Sequence, residues 1–462
     1  MGRIAAVLVP GGLLALLSTT IVGVTVPGIV ADLGADLASA QWVTSTYLLA
    51  AGVGIAASAW ASARFGVRAT WLVALTVFGV GAGLSALAPN LDVLITARAL
   101  QGLGGGMLEP VMLTALAQAA GPARMGRVMG SVAAVMSVGP MAGPLLGGTL
   151  TDALDWRWVF GVPAIATVAV LAGSALVLPR EQGDSVRLDG IGLGLLALTS
   201  VLALYGLSRA ATPAGFDGTT LALLAAAVLA LLVFVRWARP RGAAAIIDLS
   251  TFASRGFVPP VIIMLLLGVA IYPMFFGLPL YYQGVVGMSA ASAGLLMVPY
   301  GLGNLVMMPL AGVLSDRLGA RGIMWVGTGV SAAAFVLLLR TSPDTSTVTF
   351  AGIALAAGVG LGGVASPAVA SIYRVLPAAL IASGSTILFC VNQIGGALGV
   401  AVLTLLVGGP HWTADSGTAP LWVPLAAIVL VMVAVFGLPP ANRPRSSEQP
   451  ARRSADAGPS GG

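Results

Sequence analysis

Lysine is absent from this chain of 462 residues. All 22 basic residues are arginine, a usage that fits a GC-rich bacterial genome. There is one cysteine, Cys390, and one histidine, His411; these exclude an intramolecular disulfide and a multi-histidine metal site. Without lysine there is no G-x-x-x-x-G-K-[ST] phosphate loop, so ATP-driven pumping by this chain alone is excluded. Charge is scarce: 8% of residues are charged against 58% hydrophobic, a balance foreign to soluble domains. So few ionisable groups also leave a membrane enzyme without convergent nucleophiles.

What the chain has instead is apolar runs of 18 or more residues, long enough to cross the roughly 30 Å hydrocarbon layer. Spans are expected near 5–28, 42–62, 70–88, 93–117, 128–150, 158–178, 190–207, 219–237, 257–282, 291–314, 323–340, 347–372, 382–408 and 421–438. The first lacks a clear cleavage site and reads as an uncleaved span. Fourteen spans put both termini on one side. Eighteen arginines fall in the connections and tail of that side, against Arg157, Arg209 and Arg340 opposite. The bias makes the termini cytoplasmic, and the net charge of +6 becomes a topology signal rather than a nucleic-acid footprint. The tail at 441–462 reads as a disordered cytoplasmic end.

The outer thirds repeat each other. Arg64, Gly66 and Arg68 match Arg317, Gly319 and Arg321 at an offset of 253. Gly105, Gly106 and Pro110 match Gly362, Gly363 and Pro367 at 257, and Gly139 and Gly143 match Gly395 and Gly399 at 256. A nearly constant offset argues for a duplicated six-span unit with two further helices between the copies. Transporters use such parallel repeats to build two bundles about a central site.

Residues 131–163 carry Gly139-Pro140, Gly143-Pro144 and Gly147-Gly148 at spacings of about four, which stacks the glycines on one face for close helix approach. Alone, this is a packing seam. Taken whole, G-P-x-x-G-P-x-x-G-G followed by W-R-W-x-F resembles the antiporter motif of the drug:proton antiporters of the major facilitator superfamily, and their 14-span branch most closely. The resemblance covers nearly all of residues 1–440. It implies an all-α membrane fold of 14 helices arranged 6+2+6: an N-terminal bundle at 1–178, two extra helices at 179–256 and a C-terminal bundle at 257–440.

Span 4 is the most informative for chemistry. Arg98, Gln101, Gly102, Gly105, Glu109 and Met112 share one helical face. Arg98 and Glu109 lie about 16 Å apart along the axis and within about 20° in azimuth, so both fit one cavity. Glu109 is the one acid placed well inside the bilayer, where a charge costs at least ~2.5–3.5 kcal/mol. Two readings stand: a proton- or cation-coupling group, or a buried acid kept neutral by a hydrogen bond. Arg98 with Gln101-Gly102 matches the family's R-x-x-Q-G pattern, which implies a part in proton transfer or cavity organisation. From the residues alone it equally serves to hold the bundle through backbone carbonyls.

The family's loop between spans 2 and 3 reads roughly G-x-L-a-D-R-x-G-R-K. The first copy keeps Arg64, Gly66 and Arg68 but has Ala59 and Ala63; the second keeps Gly312, Asp316, Arg317, Gly319 and Arg321. The resemblance implies charged latches between bundles, resting mainly on the second copy, beside simple positive-inside anchoring. Span 1 departs further: Ser18 and Gly23 stand where the family has aspartate and asparagine. That removes an acid expected for protons or cationic substrates unless Glu109 substitutes.

Expected cavity residues are Gln101, Met112, Tyr47, Ser18, Tyr272, Phe276, Tyr300, Asn304, Asn392 and Gln393. The two amides at 392 and 393 are favoured because burying them unpaired costs energy. The expectation is therefore a monomeric multidrug antiporter of the bacterial cytoplasmic membrane. It would export small amphipathic compounds against protons, with the proton gradient as energy source and no cofactor or metal. The alternative is a facilitator or differently coupled permease.

Overall fold

Glycine, proline and membrane-length apolar runs decide where the helices start, stop and touch. The computed structural model describes residues 2–120, 138–180, 183, 187–210, 215–342, 344–377, 380–407, 418 and 421–438. Eleven helices among these are long and apolar enough to cross a membrane. The tail at 441–462 and the beginning of the fifth expected span, 128–137, lie outside the described residues.

The first half comprises α1 (Gly2–Thr20), α2 (Val26–Leu33), α3 (Leu37–Phe65), α4 (Val67–Ala86), α5 (Leu91–Ala120), α6 (Val138–Ala153) and α7 (Trp158–Val177). A helical pair follows, α8 (Gly190–Ala210) and α9 (Gly218–Ala238). The second half comprises α10 (Val258–Gly284), α11 (Ala290–Leu296), α12 (Val298–Leu318), α13 (Ala320–Leu338), α14 (Thr347–Val375), α15 (Ile381–Val407) and α16 (Trp422–Ala434).

Two expected spans are corrected in detail. The first does not run unbroken from 5 to 28: a 3-10 turn at Ile21–Val24 separates α1 from α2. Pro27 cannot continue the helix because its ring opposes the carbonyl four residues back, and Thr25 Oγ1 takes up the Val22 carbonyl at 2.8 Å. The span at 291–314 likewise breaks at Met297, where Pro299 opens α12.

The packing repeats across the halves. In the first, α5 lies between α3 and α4, α4 packs on α7, and α1 on α6; in the second, α14 lies between α12 and α13, α13 packs on α16, and α10 on α15. The halves meet along α3 against α15 and along α6 against α11 and α12. Helices α8 and α9 pack on each other, with α8 laid against α3 and α15.

Gly66 and Gly319, matched in the sequence, have φ of 83° and 87°. Each donates its N–H at 3.0 Å to a serine carbonyl four residues back, Ser62 or Ser315, and each opens the next helix. Only glycine holds that left-handed conformation without strain, so both copies reverse the chain at the same residue.

Candidate functional site

A cavity of about 190 Å³ lies where the two halves face each other. Its walls are Ala15, Leu16 and Thr19 of α1, Tyr47, Ala51 and Ile55 of α3, Gly105, Gly106 and Glu109 of α5, Tyr272 of α10, and Phe389, Asn392 and Gln393 of α15. Small residues bring the helices close enough to form it, since a Cβ on Gly106 would collide with the Ala51 backbone. Glu109 is the one carboxylic acid in this wall. Among the described residues no hydrogen bond or ion pair reaches it. Opposite, Tyr272 Oη donates to Gln393 Oε1, and Asn392 Nδ2 donates to the Met264 carbonyl at 3.0 Å.

Arg98 sits elsewhere on the same helix. It is 0% exposed, and its guanidinium donates to Val43 O (Nε, 2.9 Å), Gln101 Oε1 (Nη1, 2.7 Å) and Ser18 O (Nη2, 3.1 Å). Gln101 Nε2 in turn donates to Ser18 Oγ at 3.3 Å. The cation lies 4.0 Å from the Tyr47 ring centroid and 5.6 Å from that of Phe160, an arrangement that stabilises a desolvated guanidinium. No acid pairs with it among the described residues. Tyr47 joins the two places: its ring covers Arg98, its Oη donates to the Ala15 carbonyl at 2.9 Å, and it walls the cavity.

The structure thus brings Glu109, Tyr47, Tyr272, Asn392 and Gln393 together and separates the rest. Arg98, Gln101 and Ser18 do not line the cavity; they form a polar knot inside the first half. Met112 is buried in the same half's core and Phe276 in the core around α2. Tyr300 is buried in the second half, 5.5 Å from the Phe275 ring, and Asn304 lies against Gly362. The reason is height along α5. Near residues 98–102 α1 and α3 cover this face, with Gly102 against the Tyr47 carbonyl. Near 105–109 α3 stays as close, with Gly106 against the Ala51 backbone, and the cavity opens on the side that faces α10 and α15. Sequence reasoning missed Thr19 and Phe389, which carry no spacing signal.

The glycine-rich helix α6 is pressed between halves. Gly139 and Gly143 face Leu16 and Thr20 of α1, and Gly147 faces Ile21; Gly148 and the Pro144 carbonyl meet Ala290 and Gly294 of α11. The Pro140 side chain lies outside the described residues. On the face where α1 ends, here the far face, the halves also bond directly. Gln283 Nε2 donates to Val24 O at 3.0 Å, and Ala291 N–H to Asp152 Oδ2 at 2.8 Å. Beside them Arg157 pairs with Asp32 at 2.7 Å and stacks over Trp156 at 4.3 Å. The Arg157 hydrogen bond is the chief cause holding Asp32 below its ordinary carboxylate pKa.

On the near face two arginines of the expected latches make contacts within their own halves. Arg68 Nη2 donates to Ala175 O of α7 at 2.7 Å, and Arg321 lies 5.4 Å from the Phe436 ring, next to α16. Each anchors its own half, because these helix starts lie beside the last helix of the same unit. Arg64 stacks over Phe65 at 5.7 Å, and a Cβ added to Gly312 would lie 3.1 Å from Ser366 Oγ. The side chains of Asp316 and Arg317 lie outside the described residues.

Two packed halves of membrane-length helices meet around this cavity. The profile of the Major Facilitator Superfamily matches residues 8–400, and the chain belongs to that family. It is 34% identical over 412 residues to the Multidrug resistance protein B homolog of Mycobacterium tuberculosis, covering 88% of this chain and 76% of that one. It is 32% identical to the Puromycin resistance protein pur8 of Streptomyces alboniger, with 90% and 84% covered. The Tetracenomycin C resistance and export protein of Streptomyces glaucescens is 29% identical, with 86% and 74% covered. Among solved structures, the D-xylose-proton symporter shares the fold with a TM-score of 0.67 at 16% identity, over 95% of this chain and 98% of that one.

Proposed function

We propose that the protein is a proton-coupled exporter of small amphipathic compounds, such as drugs, antibiotics or secondary metabolites. It works by alternating access in the bacterial cytoplasmic membrane, with both termini in the cytoplasm. One observation carries this reading: Glu109 stands on the wall of a cavity between the halves with no partner among the described residues. An acid so placed can take a proton when the cavity faces one side and give it up, with substrate exchange, when it faces the other. Relatives named for resistance and export support the direction.

Adding α5, α6 and α16 to the eleven long helices gives fourteen spans. They are arranged 6+2+6, with bundles at 1–178 and 257–440, the pair at 179–256 and the tail at 441–462. The far-face bonds through Gln283 and Asp152 join the halves on the side we assign to the outside, and relatives named for resistance and export support uptake of substrate from the cytoplasmic side. A single chain carries the pathway, and the proton gradient drives it without a bound cofactor.

A facilitator is the second reading, and one observation favours it. Ser18 meets Arg98 and Gln101 where the family pattern has an acid, so this buried cation lacks the carboxylate that would exchange protons with it. Reconstituted liposomes separate the two: labelled puromycin and a cationic, a neutral and an anionic dye are followed with and without a pH step. Accumulation against the gradient only with the step supports the exporter. Downhill movement indifferent to pH supports the facilitator.

A further inference from the structure

We infer that the near-face pocket joining the helical pair to both halves binds the phosphate headgroup of an anionic phospholipid. The pocket holds about 590 Å³. Its rim carries Arg187 and Arg241, its sides Trp60 and Trp237, and its floor small apolar residues of α3, including Ala56 and Ala59. Ser383, at the start of α15, closes the far wall. Elements from all three parts of the fold therefore converge on one opening.

Charge and depth argue for this occupant. The pocket sits at helix ends on the face that gathers the arginines, and tryptophans mark the level of membrane headgroups. Arg187 is exposed and makes no ion pair among the described residues. Arg241 lies flat on Trp237, 3.4 Å from its ring centroid, and donates one Nη1 bond to the Trp237 carbonyl at 2.7 Å. The rest of its planar donor fork remains available to a phosphate. The one acid in the wall, Asp189, keeps its negative charge and attracts Arg241, so two arginines against one carboxylate leave the lining with a net charge of +1. It accepts from Trp237 Nε1 and Gly192 N at 2.9 Å and from Ile246 N at 3.1 Å. Asp189 thus fixes the tryptophan and the 242–246 connection, shaping the pocket. The apolar floor suits the first methylenes of acyl chains, which a free phosphate would leave unfilled. Basic pockets between helices on the cytoplasmic side are built for anionic lipids in this way.

The test uses full-length, delipidated protein in detergent, with phosphatidylglycerol, phosphatidylethanolamine, phosphatidylcholine, inorganic phosphate or glycerol phosphate added. Native mass spectrometry reads bound lipid and a thermal melt reads stabilisation. Phosphatidylglycerol should bind most tightly. Arg187→Gln should weaken it roughly fivefold, and Arg187→Gln with Arg241→Gln roughly 25-fold. Arg3→Gln, an exposed arginine on the same face outside the pocket, should leave it unchanged. The single Arg187→Gln variant guards against misfolding, because its side chain is exposed. Unchanged phosphatidylglycerol binding in both variants, equal binding of phosphatidylethanolamine, or full stabilisation by inorganic phosphate alone would overturn the inference.

Discussion

Tyr47 and Tyr300 stand 253 residues apart, the offset of the repeat, and their backbones are treated alike. A Cβ on Gly102 would strike the Tyr47 carbonyl, and one on Gly358 would strike that of Tyr300. Their side chains are treated differently. Arg98 covers Tyr47 and bonds Gln101; the corresponding residues beside Tyr300 are Ala354 and Ala357, which line an apolar void of only about 10 Å³. At the offset of 256 that relates Gly102 to Gly358, Glu109 corresponds to Ala365. The duplicated scaffold therefore preserves helix spacing through glycines, while polar chemistry has been kept in one copy. Spacing is a backbone property shared by both halves; among the described residues, the charged side chain fully buried within a half, Arg98, belongs to the first.

The sharpest break of this comparison is at the acid. Glu109→Gln should lower pH-driven transport by on the order of tenfold or more, whereas Ala365→Ser, its counterpart, should leave it within about twofold, both read in liposomes. Next comes the cation. Arg98→Ala leaves the buried Gln101 Oε1 without its donor and removes a fully buried side chain from the first half, at a cost of about 3 kcal/mol or more. Ala354→Ser, its counterpart, should cost about 1 kcal/mol or less, and a thermal melt compares them. The glycines test the shared half of the claim: Gly102→Ala and Gly358→Ala should each destabilise by about 1–3 kcal/mol, to a similar degree.

The smallest effect concerns the far-face ion pair. Asp32 has a lowered folded pKa, so its pairing stabilises fully above its unfolded value of about 3.9 and is lost as pH falls through the lower folded value. Melting temperature should therefore drop more between pH 6 and pH 3 in the native protein than in Asp32→Asn.

Much of the architecture was legible in the residues. Apolar length placed the spans, and the repeat offset anticipated the matching turns at Gly66 and Gly319 because only glycine meets their φ. Helical periodicity also put Arg98 and Glu109 on one stripe of α5. It could not say that the stripe changes neighbours along its length, covered by α1 and α3 at Arg98 and opening onto α10 and α15 at Glu109. The break in α1 was hidden for a similar reason. Pro27 is visible, but the close meeting of Gly23 with the Phe275 carbonyl is a tertiary fact. Long-range partners, such as Asp32 with Arg157, leave no local pattern at all.

The most direct test of Glu109 as the exchanging group is proton release on substrate binding. Transported compound is added to purified, weakly buffered protein beside a pH-indicator dye. Native protein should release protons as substrate binds, and Glu109→Gln should bind substrate without releasing them. Equal release from both proteins would contradict the account and move the coupling away from this cavity.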